Sequence, residues 1–195
     1  LDRINKILSA RPDIEDSKDA RPLERVRGRI HFENVTFAYP GAKKPVIDNL
    51  TLDLPEGGTL GIIGPPGSGK TTLLDLIARR YDVTAGCLWI DGREIQNIRI
   101  GDLRSHITHV PQEPYLFSGT IGDNITFGNL VDDAELIRAA REAALYETVQ
   151  QFPRGFDTPV GERGVVLSGG QKQRIVLARA LLRKSRIMLF DDPIA

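Results

Sequence analysis

Eight consecutive residues, Gly64-Pro65-Pro66-Gly67-Ser68-Gly69-Lys70-Thr71, combine glycines, a lysine and a threonine at a spacing suited to phosphate. They match G-x-x-x-x-G-K-[ST], whose glycines let backbone N–H groups turn inward onto phosphate oxygens. Lys70 supplies a point charge for the β- and γ-phosphates, and the Thr71 hydroxyl can ligate Mg²⁺. Thr72 is counted with them as a nucleotide-binding residue. A second cluster, Leu167-Ser168-Gly169-Gly170-Gln171, fits the S-x-x-Q capping box at a helix start. A serine and two glycines there make an anion site, or an ordinary N-cap. A third, Arg186-Ile187-Met188-Leu189-Phe190-Asp191-Asp192, is an apolar strand ending in two carboxylates. Asp191 is placed to hold Mg²⁺ through water, since that ion keeps several waters and takes few carboxylates. The plain alternative is a core strand with a polar end.

These residues need elements to aim them. Upstream of the glycine loop, Thr59-Leu60-Gly61-Ile62-Ile63 is an apolar run of strand length. Downstream, Thr72-Leu73-Leu74-Asp75-Leu76-Ile77-Ala78 reads as a buried helix. Strand, glycine loop and helix together set a helix N-terminus against a phosphate. After Gln171, the run from Lys172 to Leu182 predicts a helix, closed by Arg183 and Lys184, which suit the negative end of its dipole.

The order of these motifs resembles the ATP-binding cassette (ABC) ATPases from about residue 29 to the C-terminus, with LSGGQ as signature and 186–192 as the Walker B strand. Further motifs agree with the resemblance. Phe37-Ala38-Tyr39-Pro40 is similar to the A-loop, where Tyr39 stacks on adenine; the alternative is a core tyrosine. Val110-Pro111-Gln112-Glu113 is similar to the Q-loop, which implies that Gln112 reaches Mg²⁺ and the attacking water. Val160-Gly161-Glu162-Arg163-Gly164 resembles the X-loop of exporters, and Tyr115-Leu116-Phe117-Ser118-Gly119-Thr120-Ile121 is also exporter-like. The resemblance implies an α/β P-loop NTPase fold with a mostly parallel core sheet, an N-terminal antiparallel β subdomain and a helical subdomain over about 113–180. ATP and Mg²⁺ are the implied cofactors. Catalytic roles fall on Lys70, Gln112 and Asp192, and metal contacts on Thr71, Gln112 and Asp191. A second cassette and a transmembrane domain of the same polypeptide are the implied partners, at the cytoplasmic face of the membrane.

Composition sets limits. The 195 residues suffice for one domain with a real core. Lysines and arginines balance aspartates and glutamates at 26 each, so no general attraction to nucleic acid is implied. The single cysteine, Cys87, followed by Leu88-Trp89-Ile90, reads as a buried small residue in a strand, with no disulfide framework. No apolar stretch approaches the ~18 residues of a membrane helix. Leu1, Ile4, Ile7 and Leu8 read as a helix end, and 9–28, with proline, charge and no periodicity, as a linker. In exporters such a segment follows the last transmembrane helix, so 1–28 is expected to belong to that connection and 29–195 to the ATPase domain. Alternating strands are expected over 29–111, the first at Ile30–Phe37. Over 113–166 helices are expected, one with an acidic start at Asp132-Asp133 and Leu136, Ala140 and Ala144 on one face.

Two departures from the family pattern stand out. Where the family usually carries a glutamate that polarises the attacking water, this chain has Asp192, about one methylene shorter. Misplacement on the order of 1 Å can cost about 100-fold in rate; the alternative is that Asp192 works through a shifted water. The expected D-loop and switch histidine belong beyond Ala195, and His31, His106 and His109 all precede the signature, so they read as structural or surface residues. Aspartate beside an intact LSGGQ resembles the degenerate-site half of a heterodimeric exporter, which lends its signature to the partner's site. Three readings follow: an exporter ATPase, a binding and regulatory module with little turnover, and a soluble DNA-repair type. The third usually inserts a long coiled coil, whereas Lys70 and Gln112 here are 42 positions apart (112 − 70) and Lys70 and Ser168 are 98 apart (168 − 70).

Overall fold

In the computed structural model, residues 12–161 and 166–192 are described. They form two compact units, one up to Ser105 and one from His106. The helix end expected at 1–8 and the Glu162-Arg163-Gly164 part of the X-loop lie outside the described residues.

The first unit is built on an antiparallel sheet. Strand β1 (Ile30–Phe37) lies between β2 (Ile47–Leu54) and, beyond the helix α1 (Lys70–Ile77), β3 (Ala85–Ile90), with the short β4 (Arg93–Glu94) at the edge. Register pairs Phe32 with Leu52 on one side and with Leu88 on the other. Alternation along β1 buries Ile30 and Phe32 and, after a register shift around the left-handed Asn34, Val35 and Phe37, giving the sheet its apolar face. A short helix, α2 (Ile100–Ser105), closes the unit and buries Leu103. Cys87 sits in β3 as expected but is half-buried rather than buried.

Two expectations for this unit are corrected. The run 59–63 has no strand partner among the described residues, and Leu60, Ile62 and Ile63 are 42%, 38% and 100% exposed. It is extended backbone with apolar side chains but no ladder. The segment 12–28 is not a free linker either. Leu23 and Val26 are buried, Arg21 bridges Ile98 in parallel, and the Asp91 carboxylate accepts from the N–H groups of Arg27, Gly28 and Arg29 at 2.8–3.2 Å.

The second unit holds the parallel component of the fold. Strand β5 (Ile107–Val110) pairs in parallel with β8 (Ile187–Phe190), Val110 opposite Phe190. Between them in sequence come β6 (Gly119–Thr120), α3 (Ile121–Thr126), α4 (Asp133–Glu142), α5 (Tyr146–Gln150), β7 (Pro159–Val160) and α6 (Gly169–Leu182). β6 and β7 form a small antiparallel pair. The helices share a core of Ile121, Ile125, Ala139, Ala140, Leu145, Val149, Ile175 and Ala178. α4 starts at Asp132, whose carboxylate accepts from Glu135 N–H at 2.7 Å. The helix ends two residues short of the expected stripe: it stops at Glu142, Ala143 is buried and Ala144 is exposed with φ +52°. A left-handed residue after the helix turns the chain and takes Ala144 off the face.

A buried polar knot fastens α3 to α6. Asn124 accepts from Phe117 N–H at 2.8 Å and donates to the Phe117 and Thr120 carbonyls at 2.9 Å each. Arg179, inside the apolar run of α6, donates to the Asn124 carbonyl at 2.6 Å and lies 5.1 Å from the Phe127 ring centroid. Burial pulls the Arg179 guanidinium down from its ordinary value. Asn124→Leu keeps the volume but strands the Phe117 amide and carbonyl. Chemical denaturation of the 195-residue chain is expected to show a loss of about 2–3 kcal/mol; a loss no larger than that of an exposed control would show that water replaces the knot.

Candidate nucleotide-binding site

The glycine loop opens α1 as its sequence requires. Gly69 is the N-cap residue at φ +90°, and no side chain caps the helix. A Cβ at Gly69 would sit 2.8 Å from the Ile47 Cδ1, so glycine is demanded twice, by conformation and by space. Gly67 also holds a left-handed φ of +77°. The first N–H groups of α1 therefore have neither an intrahelical partner nor a side-chain one, and its first turn carries no acid. Such a helix start is suited to an anion. Lys70 folds back, its Nζ donating to the carbonyls of Gly64 and Pro65 at 2.8 and 2.9 Å. The ammonium is thus stored at the loop on weak neutral acceptors, which a phosphate can outcompete. Leu73, Leu76 and Ile77 bury the opposite face and hold the helix in the unit.

Tyr39 stands beside this loop. Its hydroxyl is 2.9 Å from the Thr72 Oγ1, and its ring meets Phe37 and Tyr81 edge-on at 5.0 and 5.3 Å between centroids. Sequence reasoning placed Tyr39 and Thr72 in the site separately; their hydrogen bond joins the ring assigned to the base with the helix assigned to the phosphates. Tyr81 was not foreseen, and its only signal is an aromatic four residues after Ile77.

In the second unit, the β5–β8 register gathers two other candidates. The parallel ladder continues one step beyond β8, Asp191 N–H donating to the Val110 carbonyl at 2.9 Å. Gln112, exposed two residues past β5, and Asp191 and Asp192, just past β8, therefore emerge at the same C-terminal strand ends, where ligands of parallel α/β sheets bind. Asp192 is exposed and left-handed at φ +47°. No group of three or more His, Cys, Asp or Glu that could hold a metal occurs among the described residues. Mg²⁺ takes one or two carboxylates and keeps the rest of its shell for water and phosphate.

The signature cluster forms the capping box foreseen for it. Ser168 N–H donates to the Gln171 Oε1 at 2.8 Å, and Ser168 Oγ accepts from Gln171 N–H at 3.2 Å. Gln171 is thereby committed to the cap. Ser168, Gly169 and Gly170 are exposed, and a Cβ at either glycine would meet nothing within 4 Å. Val110 packs on Val176 and Ala180, tying the Gln112 strand to the signature helix.

The model of the ABC transporter family matches residues 47–195. The chain belongs to the ABC transporter family. It is 43% identical over 191 residues to ABC transporter B family member 18 of Arabidopsis thaliana, covering 95% of this chain and 16% of that protein. It is 40% identical over 193 residues to human ATP-binding cassette sub-family B member 6, covering 98% of this chain and 23% of the relative. A bacterial Atm1-family ABC exporter solved with ATP bound superposes with a TM-score of 0.91 at 36% identity, covering 98% of this chain and 34% of that one. The chain thus corresponds to the nucleotide-binding domain of such exporters and spans a quarter or less of those two relatives.

Tyr39→Ala is expected to weaken binding of a fluorescent ATP analogue about 5- to 150-fold, the worth of one base stacked on an aromatic ring. Tyr39→Phe keeps the ring and loses only the Thr72 hydrogen bond, so its loss should stay below about 10-fold. Equal losses in the two variants would assign the effect to the hydroxyl and remove the stacking role.

Proposed function

We propose that this chain binds and hydrolyses ATP with Mg²⁺ as the cassette of an exporter, driving transport by closing on a second cassette. The observation that carries the reading is the start of α1: an uncapped helix N-terminus behind left-handed glycines, with Lys70 stored on loop carbonyls. Family membership supports ATP hydrolase activity. Residues 1–28 are read as the connection from a transmembrane domain of the same polypeptide, and 29–195 as the ATPase domain at the cytoplasmic face of the membrane. No helix among the described residues is long and apolar enough to cross a membrane.

In this reading each side chain has a task. The N–H groups from Gly67 to Thr71 and the Lys70 ammonium bind the β- and γ-phosphates. Gly64, Pro65, Pro66 and Ser68 shape the loop, Thr72 lies beside them, and Tyr39 holds the base. Thr71, Asp191 and Gln112 hold the metal, with Gln112 and Asp192 orienting the attacking water. Bound Mg²⁺ neutralises charge that develops on the transferred phosphoryl group. The exposed helix start at Ser168, Gly169 and Gly170 serves the nucleotide of the facing cassette, which its open surroundings favour.

A second reading has its own support. Asp192 carries a shorter carboxylate than the family's usual glutamate and sits exposed on a left-handed backbone. Under it, this site holds nucleotide with little turnover and the chain is the degenerate half of a heterodimer. Single-turnover hydrolysis by the complete transporter separates the two. If the carboxylate is short of its water, Asp192→Glu speeds the chemical step by up to about 100-fold. An unchanged or slower step would show that Asp192 already reaches it.

The trans role has a separate test. Gly170→Asp meets open space, so this chain's own nucleotide affinity and melting temperature should stay near wild type. Turnover at the partner's site should collapse, because a carboxylate repels the γ-phosphate and a side chain blocks backbone approach. Loss of the chain's own nucleotide binding with intact turnover of a mixed dimer would place the signature in cis.

A further inference from the structure

The largest fully buried side chain among the described residues is a cation that the site does not use. Arg79 is 2% exposed and lies two residues beyond α1, on a left-handed backbone at φ +48°. Each nitrogen of its guanidinium reaches a different stretch of chain. Nε donates to the Asp82 carboxylate at 3.1 Å, Nη1 to the Ile98 carbonyl at 3.1 Å, and Nη2 to the Glu15 carbonyl at 3.2 Å. Its own carbonyl accepts from Arg104 Nη2 of α2 at 2.8 Å, and the Ala78 carbonyl accepts from Arg104 Nε at 3.3 Å.

A planar fork with donors in three fixed directions suits a junction, and a lysine cannot reproduce it. Burying a charge is costly unless every donor finds a partner. Here one of the three partners is supplied by the segment that enters the domain. That segment is held elsewhere by ordinary bonds. Asp16 accepts from the Ile100 N–H at 2.7 Å, Arg21 N–H donates to the Asn97 carbonyl at 3.0 Å, and Arg99 N–H donates to the Arg21 carbonyl at 3.1 Å. If the segment lifts, Nη2 loses the Glu15 carbonyl and a buried cation at the end of the P-loop helix is left short of a partner.

We propose that Arg79 is a positioning residue that couples the entry segment 13–22 to the P-loop helix. With the segment docked, α1 is held and the N–H groups at Gly69 to Thr71 keep their aim. With it undocked, the C-terminal end of α1 is free to shift and nucleotide affinity falls. Coupling of this kind is reciprocal, so bound nucleotide holds the segment down. The inference rests on the reading of the glycine loop as a nucleotide site and adds a regulator to it.

The test uses the 195-residue chain, trinitrophenyl-ATP as probe, and amide hydrogen exchange at Arg21 and Arg99. Asp16→Ala loosens the segment from outside without touching the loop, and is expected to raise Kd about 3- to 10-fold. Arg79→Lys is expected to do the same, and the double variant to be no worse than the weaker-binding single one. Saturating nucleotide should slow exchange at Arg21 and Arg99 severalfold in the wild type. In Arg79→Lys it should not. If Arg79→Lys fails to fold, the Asp16→Ala affinity and the wild-type exchange decide alone. Unmoved affinity in Asp16→Ala, or exchange indifferent to nucleotide, overturns the coupling while leaving the nucleotide site intact. A wild-type chain that binds no nucleotide overturns both.

Discussion

A helix start left without partners governs the first unit. Four N–H groups at the head of any helix lack intrahelical acceptors, and most helices supply a side chain for at least one. α6 does so with Ser168 and Gln171, α3 with Thr120 and Asp123, and α4 with Asp132. α1 does not. Its N-cap is a glycine with no side chain to accept, and the residue after it is a lysine, which adds positive charge where the dipole is already positive. That arrangement disfavours the bare helix and favours an anion. The folding of Lys70 onto two loop carbonyls is a local answer to the same problem.

The second unit answers a different demand, to hold polar ends of strands at a common edge. Parallel pairing of β5 with β8 requires a long crossover, and here the helices α3 to α6 fill it. Val110 packs with Val176 and Ala180, so the strand before Gln112 and the signature helix share a core. Arg179 draws the same helix onto α3 and the Phe117 and Phe127 rings.

Arginines recur as the fasteners. Arg179, half-buried within α6, and Arg79, buried just beyond the end of α1, each spend their donors mainly on main-chain carbonyls. Carbonyls are the acceptors that helix ends and loops leave over, so a guanidinium can join elements that present no complementary side chains. A hydrophobic residue at either position would fill volume but leave those carbonyls without a partner.

Local chemistry was legible from the residues themselves. A glycine that must be left-handed, a serine three before a glutamine, an aspartate before a helix and an apolar strand of period two all act within a few residues, and Gly69, Ser168, Asp132 and β1 appear as their types require. What the tertiary structure alone decided is where unlike segments meet. The Tyr39–Thr72 bond spans 33 positions, the Arg79–Glu15 bond 64 and the Arg179–Asn124 bond 55. Nothing in the local pattern of either partner announces such a bond. The same reason explains the run 59–63, whose length and apolar residues are strand-like but whose pairing depends on a neighbour that local sequence cannot specify. Propensity and capping are properties of a few adjacent residues; a ladder partner or a buried donor's acceptor is a property of the packed chain.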